Sequence, residues 1–244
     1  MKILFYTCTK QNVDAFLKFS PLIKCLGMGN ELPYKPKKAT LDAPQELNYK
    51  FKNLRYGADL IVWTENTDGL SVQYNKAKKY YDQYDAVIFC HDDIFITDAF
   101  LIEKLQVAFA QFDVVGLAGG ADISLNGYGL WHMMCGPTTF SGAVSHFDNT
   151  GKEFVTSFGP FGKRCLLMDG LFLAVNTKTT KAANWDENVK FHHYDLLFCL
   201  EANKLKLKLG TAPIYVTHES PGLQKFSEEF KKSDAYFKEY FKNY

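Results

Sequence analysis

The sequence predicts an α/β fold, with a mostly parallel central sheet covered by helices on both faces, and three observations carry that prediction. Short apolar runs alternate with segments of helical period through the first 120 residues. The run Ala86-Val87-Ile88-Phe89-Cys90 is apolar at every position, as a strand buried on both faces requires. It stops at once on His91-Asp92-Asp93, and open α/β sheets place their ligands beyond the carboxyl ends of the strands.

Lys2 to Tyr6 is the first strand, and Thr7-Cys8-Thr9 the turn that leaves it. Val13, Phe16, Leu17 and then Leu22, Ile23, Leu26 recur at helical spacing, with Pro21 marking a break. Gly27 to Pro44, rich in glycine, proline and lysine, is a surface loop. Its Lys35, Lys37 and Lys38 could touch phosphate or anionic lipid, but a solvated loop is the commoner meaning of such a run. Asp59 to Thr64 is the second strand, ending on Glu65-Asn66-Thr67-Asp68-Gly69. Leu70, Tyr74, Ala77 and Tyr81 then line one face of a helix leading into the strand 86–90. Thr97 or Asp98 caps a further helix that turns Leu101, Leu105, Ala108 and Phe112 inward, and Val114 to Ala118 is the next strand.

Gly119 to Gly162 has weak periodicity and many small and aromatic residues, the mark of binding loops or a lid. Leu166 to Asn176 resumes strand character, Leu196, Leu197 and Leu200 mark a helix, Leu205 to Leu209 alternates with lysine as a half-buried strand, and Pro213 to Thr217 is the last strand. From Phe226 the tail is an aromatic, lysine-rich helix. Such a helix can lie on a membrane surface, although packing on its own domain is the commoner use.

With 244 residues, 47% of them hydrophobic, the chain suffices for one elaborated domain. A net charge of +1 offers no broad field for nucleic acid. The apolar run after Met1 is too short for a signal peptide, and no stretch is long enough to span a bilayer. The six cysteines are scattered without a Cys-x-x-Cys pair, which fits buried thiols in a reducing, cytoplasmic setting.

Two adjacent carboxylates beside an imidazole are poor core material, because an unpaired buried carboxylate is costly. A hard divalent cation offsets that cost, and metal binding outweighs the alternative of acids capping the next helix. His218 follows an apolar strand in the same way; a lone histidine is more often structural, yet this position could bring it to the sheet edge that carries Asp93. One carboxylate, one imidazole and diphosphate oxygens suit Mn²⁺ or Mg²⁺ better than tetrahedral zinc. Asp195, behind His192, His193 and Tyr194, is either a dipole-stabilising helix acid or a general base, and spacing does not choose. Asp169-Gly170 lies inside an apolar run, where the carboxylate needs a partner (a substrate hydroxyl, a lysine or a backbone amide) and glycine permits close backbone approach.

Taken in order, Trp63-Thr64-Glu65-Asn66, Tyr74-Asn75-Lys76-Ala77, Val87 to Asp93, Val115 to Gly119, Met168-Asp169-Gly170-Leu171-Phe172, Trp185-Asp186-Glu187, His193-Tyr194-Asp195-Leu196 and Thr217-His218-Glu219-Ser220 resemble the GT-A glycosyltransferases. The likeness is to their inverting, family-2-like group, with His-Asp-Asp in place of Asp-x-Asp. It implies a three-layer GT-A sandwich over residues 1–222, with a nucleotide-sugar half (1–120), an acceptor and catalytic half (121–222), and a C-terminal helix (223–244). It also implies a nucleotide-diphospho-sugar donor, most often a UDP-sugar, and a glycan or other hydroxyl acceptor. Thr7, Glu65 and Asn66 would face base and ribose, Asn75 would support that pocket, and His91 and Asp92 would lie near ribose or sugar. Asp93 and His218 would hold the metal and Asp195 would be the base, while Trp131, Asp169, Gly170 and His193 would meet sugar or acceptor. Two positions depart from the family pattern: His91 replaces the first motif acid, and Tyr194 stands where a glutamate usually precedes the base.

Rival readings are a non-catalytic sugar-nucleotide or glycan-binding module and a sugar-phosphate nucleotidyltransferase. The latter needs a glycine-rich basic loop that Thr7-Cys8-Thr9-Lys10-Gln11 does not supply. A metallophosphatase lacks a Gly-Asn-His sequence for a second metal.

Overall fold

The architecture is that of a computed structural model, which describes residues 1–27, 48–124, 129–148, 150–219 and 226–244. The lysine cluster expected in the loop after Gly27 lies outside the described residues. Strand β1 (Ile3–Cys8) is buried throughout. Helices α1 (Val13–Phe19) and α2 (Pro21–Leu26) part at Ser20, where Pro21 takes the first helical position and its missing N–H costs nothing. An edge strand β2 (Asn48–Phe51), absent from the sequence expectation, runs antiparallel to β3 (Asp59–Trp63). Helix α3 (Leu70–Asn75) tightens into a 3₁₀ turn over Lys76–Tyr80 and buries Tyr74 and Ala77 as expected. Strand β4 (Ala86–Cys90) is buried at all five positions.

Beyond β4 the chain departs from its sequence reading in several places. A short strand, β5 (Ile94–Ile96), intervenes before α4 (Leu101–Phe109). The residue that caps α4 is Phe100, with no side-chain cap; Asp98 instead accepts the Phe100 N–H and pairs with Lys104. The strand expected over 114–118 divides at Leu117 into β6 (Val114–Gly116) and β7 (Ala118–Gly120), which join different sheets. Within the segment expected to be irregular lie a one-turn helix α5 (Trp131–Met134) and a hairpin of β8 (Ser141–Phe147) and β9 (Glu153–Gly159). Asp148 organises its turn by accepting the Thr150 and Lys152 N–H groups. After β10 (Arg164–Cys165), the run 166–176 breaks into β11 (Leu167–Met168) and β12 (Phe172–Asn176), with Asp169-Gly170-Leu171 between them. Helix α6 (Tyr194–Lys204) follows. Strand β13 (Leu209–Thr211) starts where the lysine alternation ends, because Leu205 caps α6 and Lys206 turns the chain at φ 62°. Strand β14 (Val216–His218) precedes α7 (Glu228–Lys242), whose Ser227 side chain caps it and whose Phe230 and Phe237 are buried.

The larger sheet has the order β10-β13-β6-β12-β4-β1-β3-β2. Parallel pairing of β1 with β3 and β4, and of β13 with β6, together with β12 running antiparallel to both β4 and β6, gives five strands one direction; β2, β10 and β12 oppose them. The sheet is therefore mostly parallel in strand direction but mixed in pairing. The smaller sheet has the order β11-β7-β8-β14-β5, with β9 added beside β8. Among the described residues, no helix is long and apolar enough to cross a membrane.

Candidate active site

The carboxyl end of β4 delivers His91, Asp92 and Asp93, and the backbone fixes each of them. The His91 N–H donates to Leu171 O, the Leu22 N–H donates to Asp92 O, and the Glu219 N–H donates to Asp93 O. Antiparallel pairing sets His218 of β14 opposite Ile94 of β5, one residue past Asp93. The two side chains meet there: His218 Nε2 is 3.2 Å from Asp93 Oδ2, and His91 Nδ1 is 3.7 Å from Asp93 Oδ1. One ligand atom from each of His91, Asp93 and His218 lies within 4.8 Å of the other two.

Two features of this cluster match a divalent cation. Asp93 Oδ1 is a buried oxygen with no hydrogen-bond partner, a state that costs free energy unless something electropositive faces it. Burial pushes the Asp93 carboxyl up, but the His218 hydrogen bond and the nearby His91 and His218 imidazoles outweigh burial and hold it below the usual value, so the carboxylate stays ionised. Asp92 goes the other way: burial raises it, with Asp93 adding to the effect and a Thr9 hydrogen bond opposing it.

Two cavities meet at the cluster. One, of about 460 Å³, is lined by Thr9, Lys10, Gln11, Asn66, Asp92 and Phe191 among others. The second, of about 420 Å³, is lined by Trp131, His132, Asp169, Gly170, Asp195 and Phe230 among others. His91, Asp93 and Phe191 line both.

In the second cavity, Asp195 sits in the first turn of α6 at the floor of the recess, densely surrounded yet still partly open to solvent. Burial and the facing Asp169 carboxylate push its carboxyl up to about 7, against the Leu196 and Gly170 N–H groups that favour the ionised form. The Gly170 N–H reaches Asp195 Oδ2 at 2.8 Å. A Cβ on Gly170 would overlap both the Tyr194 hydroxyl and Asp195 Cβ, so this position needs glycine. Asp169 finds protein partners, accepting from Trp131 Nε1 at 3.0 Å and from the Leu171 N–H at 2.9 Å. His193, expected at the substrate, lines this cavity and is firmly seated in its wall. Its side chain is fully enclosed, its Nδ1 is 2.9 Å from Ser233 Oγ of α7, and burial lowers its pKa to about 4.

On the other side Asn66 lines the first cavity, held by its Oδ1 contact with Gln73. Thr7, Glu65 and Asn75 do not line it. The Thr7 hydroxyl is buried and donates to Cys90 O, bracing β1 against β4. Glu65 is exposed at φ 52°. Asn75 spends its amide on the Trp185 backbone and Glu187. Thr9, Lys10, Gln11 and Phe191 occupy the wall that those residues were expected to form. The turn 9–11 reaches it because its backbone is laced to the turn after β3, through Asn66 N–H to Thr9 O and Glu65 N–H to Gln11 O.

A family model described as "Glycosyltransferase like family" matches residues 41–244. The chain belongs to this family. No curated protein sequence matches it. Among solved structures, it is similar to GalNAc-T7 with UDP, GalNAc and Mn²⁺, at a TM-score of 0.50 and 12% identity, covering 97% of this chain and 47% of that one. It is also similar to A197 from STIV, at a TM-score of 0.45 and 8% identity, covering 93% of this chain and 99% of that one. This member of the glycosyltransferase-like family thus has the GT-A fold, with the mixed sheet described above.

Proposed function

We propose that the protein transfers a sugar, with inversion, from a nucleotide-diphospho-sugar, a UDP-sugar in the first instance, to an acceptor hydroxyl. The observation that carries this reading is the meeting of two cavities at a single His-Asp-His cluster. Such an arrangement suits a donor on one side, its diphosphate at the cluster, and an acceptor on the other. The division of the chain into a donor half over 1–120 and an acceptor half over 121–222 follows from the same assignment. GalNAc-T7 is described with UDP and Mn²⁺, which supports the choice of donor and metal to test first.

His91, Asp93 and His218 would hold Mn²⁺ or Mg²⁺, which when bound supplies positive charge against the departing diphosphate. Asn66 and the turn Thr9-Lys10-Gln11 bind and orient the nucleoside, with Lys10 held over the Phe191 ring. Asp195 takes the proton of the acceptor hydroxyl as that oxygen attacks the anomeric carbon. The C–O bond to the diphosphate breaks as the new glycosidic bond forms. A carboxyl at about 7 is well matched to this work near neutral pH. Asp169 and Trp131 shape the acceptor wall beside it.

The test is a thermal-shift and transfer assay with UDP-sugars, with and without Mn²⁺. The expected result is stabilisation by donor that requires metal, because only binding to the native state raises the midpoint. Asp93→Ala should abolish that stabilisation. Asp195→Asn should keep it and lose about 10²–10⁴-fold in transfer rate. Normal transfer by both variants would sink the assignment. Metal-dependent donor binding with neither transfer nor donor hydrolysis would favour the binding-module reading.

A further inference from the structure

We infer that the Tyr194 hydroxyl fixes the tautomer of His91, and so turns the free lone pair of His91 Nδ1 toward Asp93; Tyr194 is a positioning residue for the cation. This rests on the reading of His91, Asp93 and His218 as a cation site and goes beyond it, because Tyr194 is not one of those three residues.

A tyrosine hydroxyl has a single proton to donate, and a backbone carbonyl can only accept. The Tyr194 hydroxyl lies 3.1 Å from Gly170 O. A proton spent on His91 Nε2 instead would leave two oxygens facing one another with no hydrogen between them, so the placement that satisfies both contacts puts the proton toward Gly170 O. The same oxygen is 3.0 Å from His91 Nε2, and with its own proton committed it must accept from that nitrogen. A neutral His91 therefore carries its proton on Nε2, which leaves the Nδ1 lone pair bare. That nitrogen faces Asp93 Oδ1 at 3.7 Å, too far for a hydrogen bond, and Oδ1 is the buried oxygen without a partner. A lone pair and a carboxylate oxygen turned toward one another repel unless a cation joins them. An N–H donor on the far side of a metal-binding imidazole is the usual way a protein fixes its tautomer.

The surroundings hold Tyr194 to this task. It is buried, and its ring packs edge-on to Tyr74 and beside Trp185, so the hydroxyl has little freedom to swing away. Gly170 ties the cluster to the proposed base: its carbonyl seats Tyr194 while its N–H seats Asp195. The two departures from the family pattern noted in the sequence, at His91 and Tyr194, are thus in direct contact.

The experiment is a Mn²⁺ titration in the presence of UDP, read by the electron paramagnetic resonance signal of free Mn²⁺, on wild type, Tyr194→Phe, His91→Ala and the double variant. Tyr194→Phe should weaken Mn²⁺ binding by about 10–100-fold. His91→Ala should also weaken it, and adding Tyr194→Phe to His91→Ala should cost nothing more, because the hydroxyl acts only through that imidazole. Long-range ¹H–¹⁵N correlation on the metal-free wild type, at a pH where His91 is neutral, should find its proton on Nε2, a readout that does not depend on how the variants fold. Wild-type binding with an equal affinity in Tyr194→Phe, or a proton on Nδ1, overturns the Tyr194 assignment and leaves the cation site standing. A wild type that takes up no Mn²⁺ overturns both.

Discussion

Asp195 shows how far a single side chain's surroundings can set its chemistry. Its carboxyl, raised to about 7, holds its proton more tightly in the folded chain than in the unfolded one. The sign follows directly: stability is fully present below the unfolded carboxyl value of about 3.9 and is lost as pH climbs toward 7. Asp195→Asn removes that loss. Its melting temperature should therefore exceed that of wild type at pH 8, by roughly 2–4 °C for each kcal/mol recovered, and the difference should vanish toward pH 4. Calorimetry across that range reads it directly; a variant less stable than wild type at pH 8 would contradict the burial argument. Activity should run the opposite way, falling about tenfold per pH unit below 7 as the proposed base, Asp195, is protonated. Residue roles were unevenly legible in the sequence. Asp93 and His218 stood out because each ends an apolar strand. Tyr194 could not, since its meaning lies in a bond to His91 across 103 residues of chain.

At the scale of elements, α7 does more than cover apolar surface. Asp234 accepts the Gly129 N–H, and Ser233 holds His193 and the His192 carbonyl, so one helix seats two walls of the second cavity. Asp234→Ala leaves the buried Gly129 N–H without its partner, at a cost of about 1–3 kcal/mol. It should raise the KM for acceptor while leaving the KM for donor unchanged, which steady-state kinetics with each substrate varied would show. Equal changes in both would mean that α7 supports the whole molecule rather than this wall. The tail's sequence favours packing on its own domain, and burial of Phe230 and Phe237 agrees with it. The hairpin of β8 and β9 was not foreseen. Its strands are short of apolar alternation because β9 is largely exposed, and the turn rests on Asp148 together with Gly151 at φ 80°.

Across the whole molecule, β1, β3 and β4 follow their sequence closely, since buried parallel strands announce themselves as continuous apolar runs. The second half does not, because β10, β11, β13 and β14 are only two or three residues long and take their place from pairing rather than from local pattern. The registers that matter most, β5 on β14 and β14 on β8, bring His218 to Asp93 and were invisible in the chain itself. The wall of the first cavity lies two residues beyond Thr7 for a related reason. Thr7 is still within β1 and buried, and only the backbone lacing of the turns after β1 and β3 presents Thr9 to Gln11.

The claim on which the account rests is that His91, Asp93 and His218 share a divalent cation at the junction of two cavities. Crystals grown with Mn²⁺ and UDP, with anomalous scattering recorded at the manganese edge, test it most directly. The account predicts one strong peak among those three side chains, with diphosphate density reaching it from the Thr9–Gln11 side. A peak elsewhere, or nucleotide bound with no peak at the cluster, would contradict it.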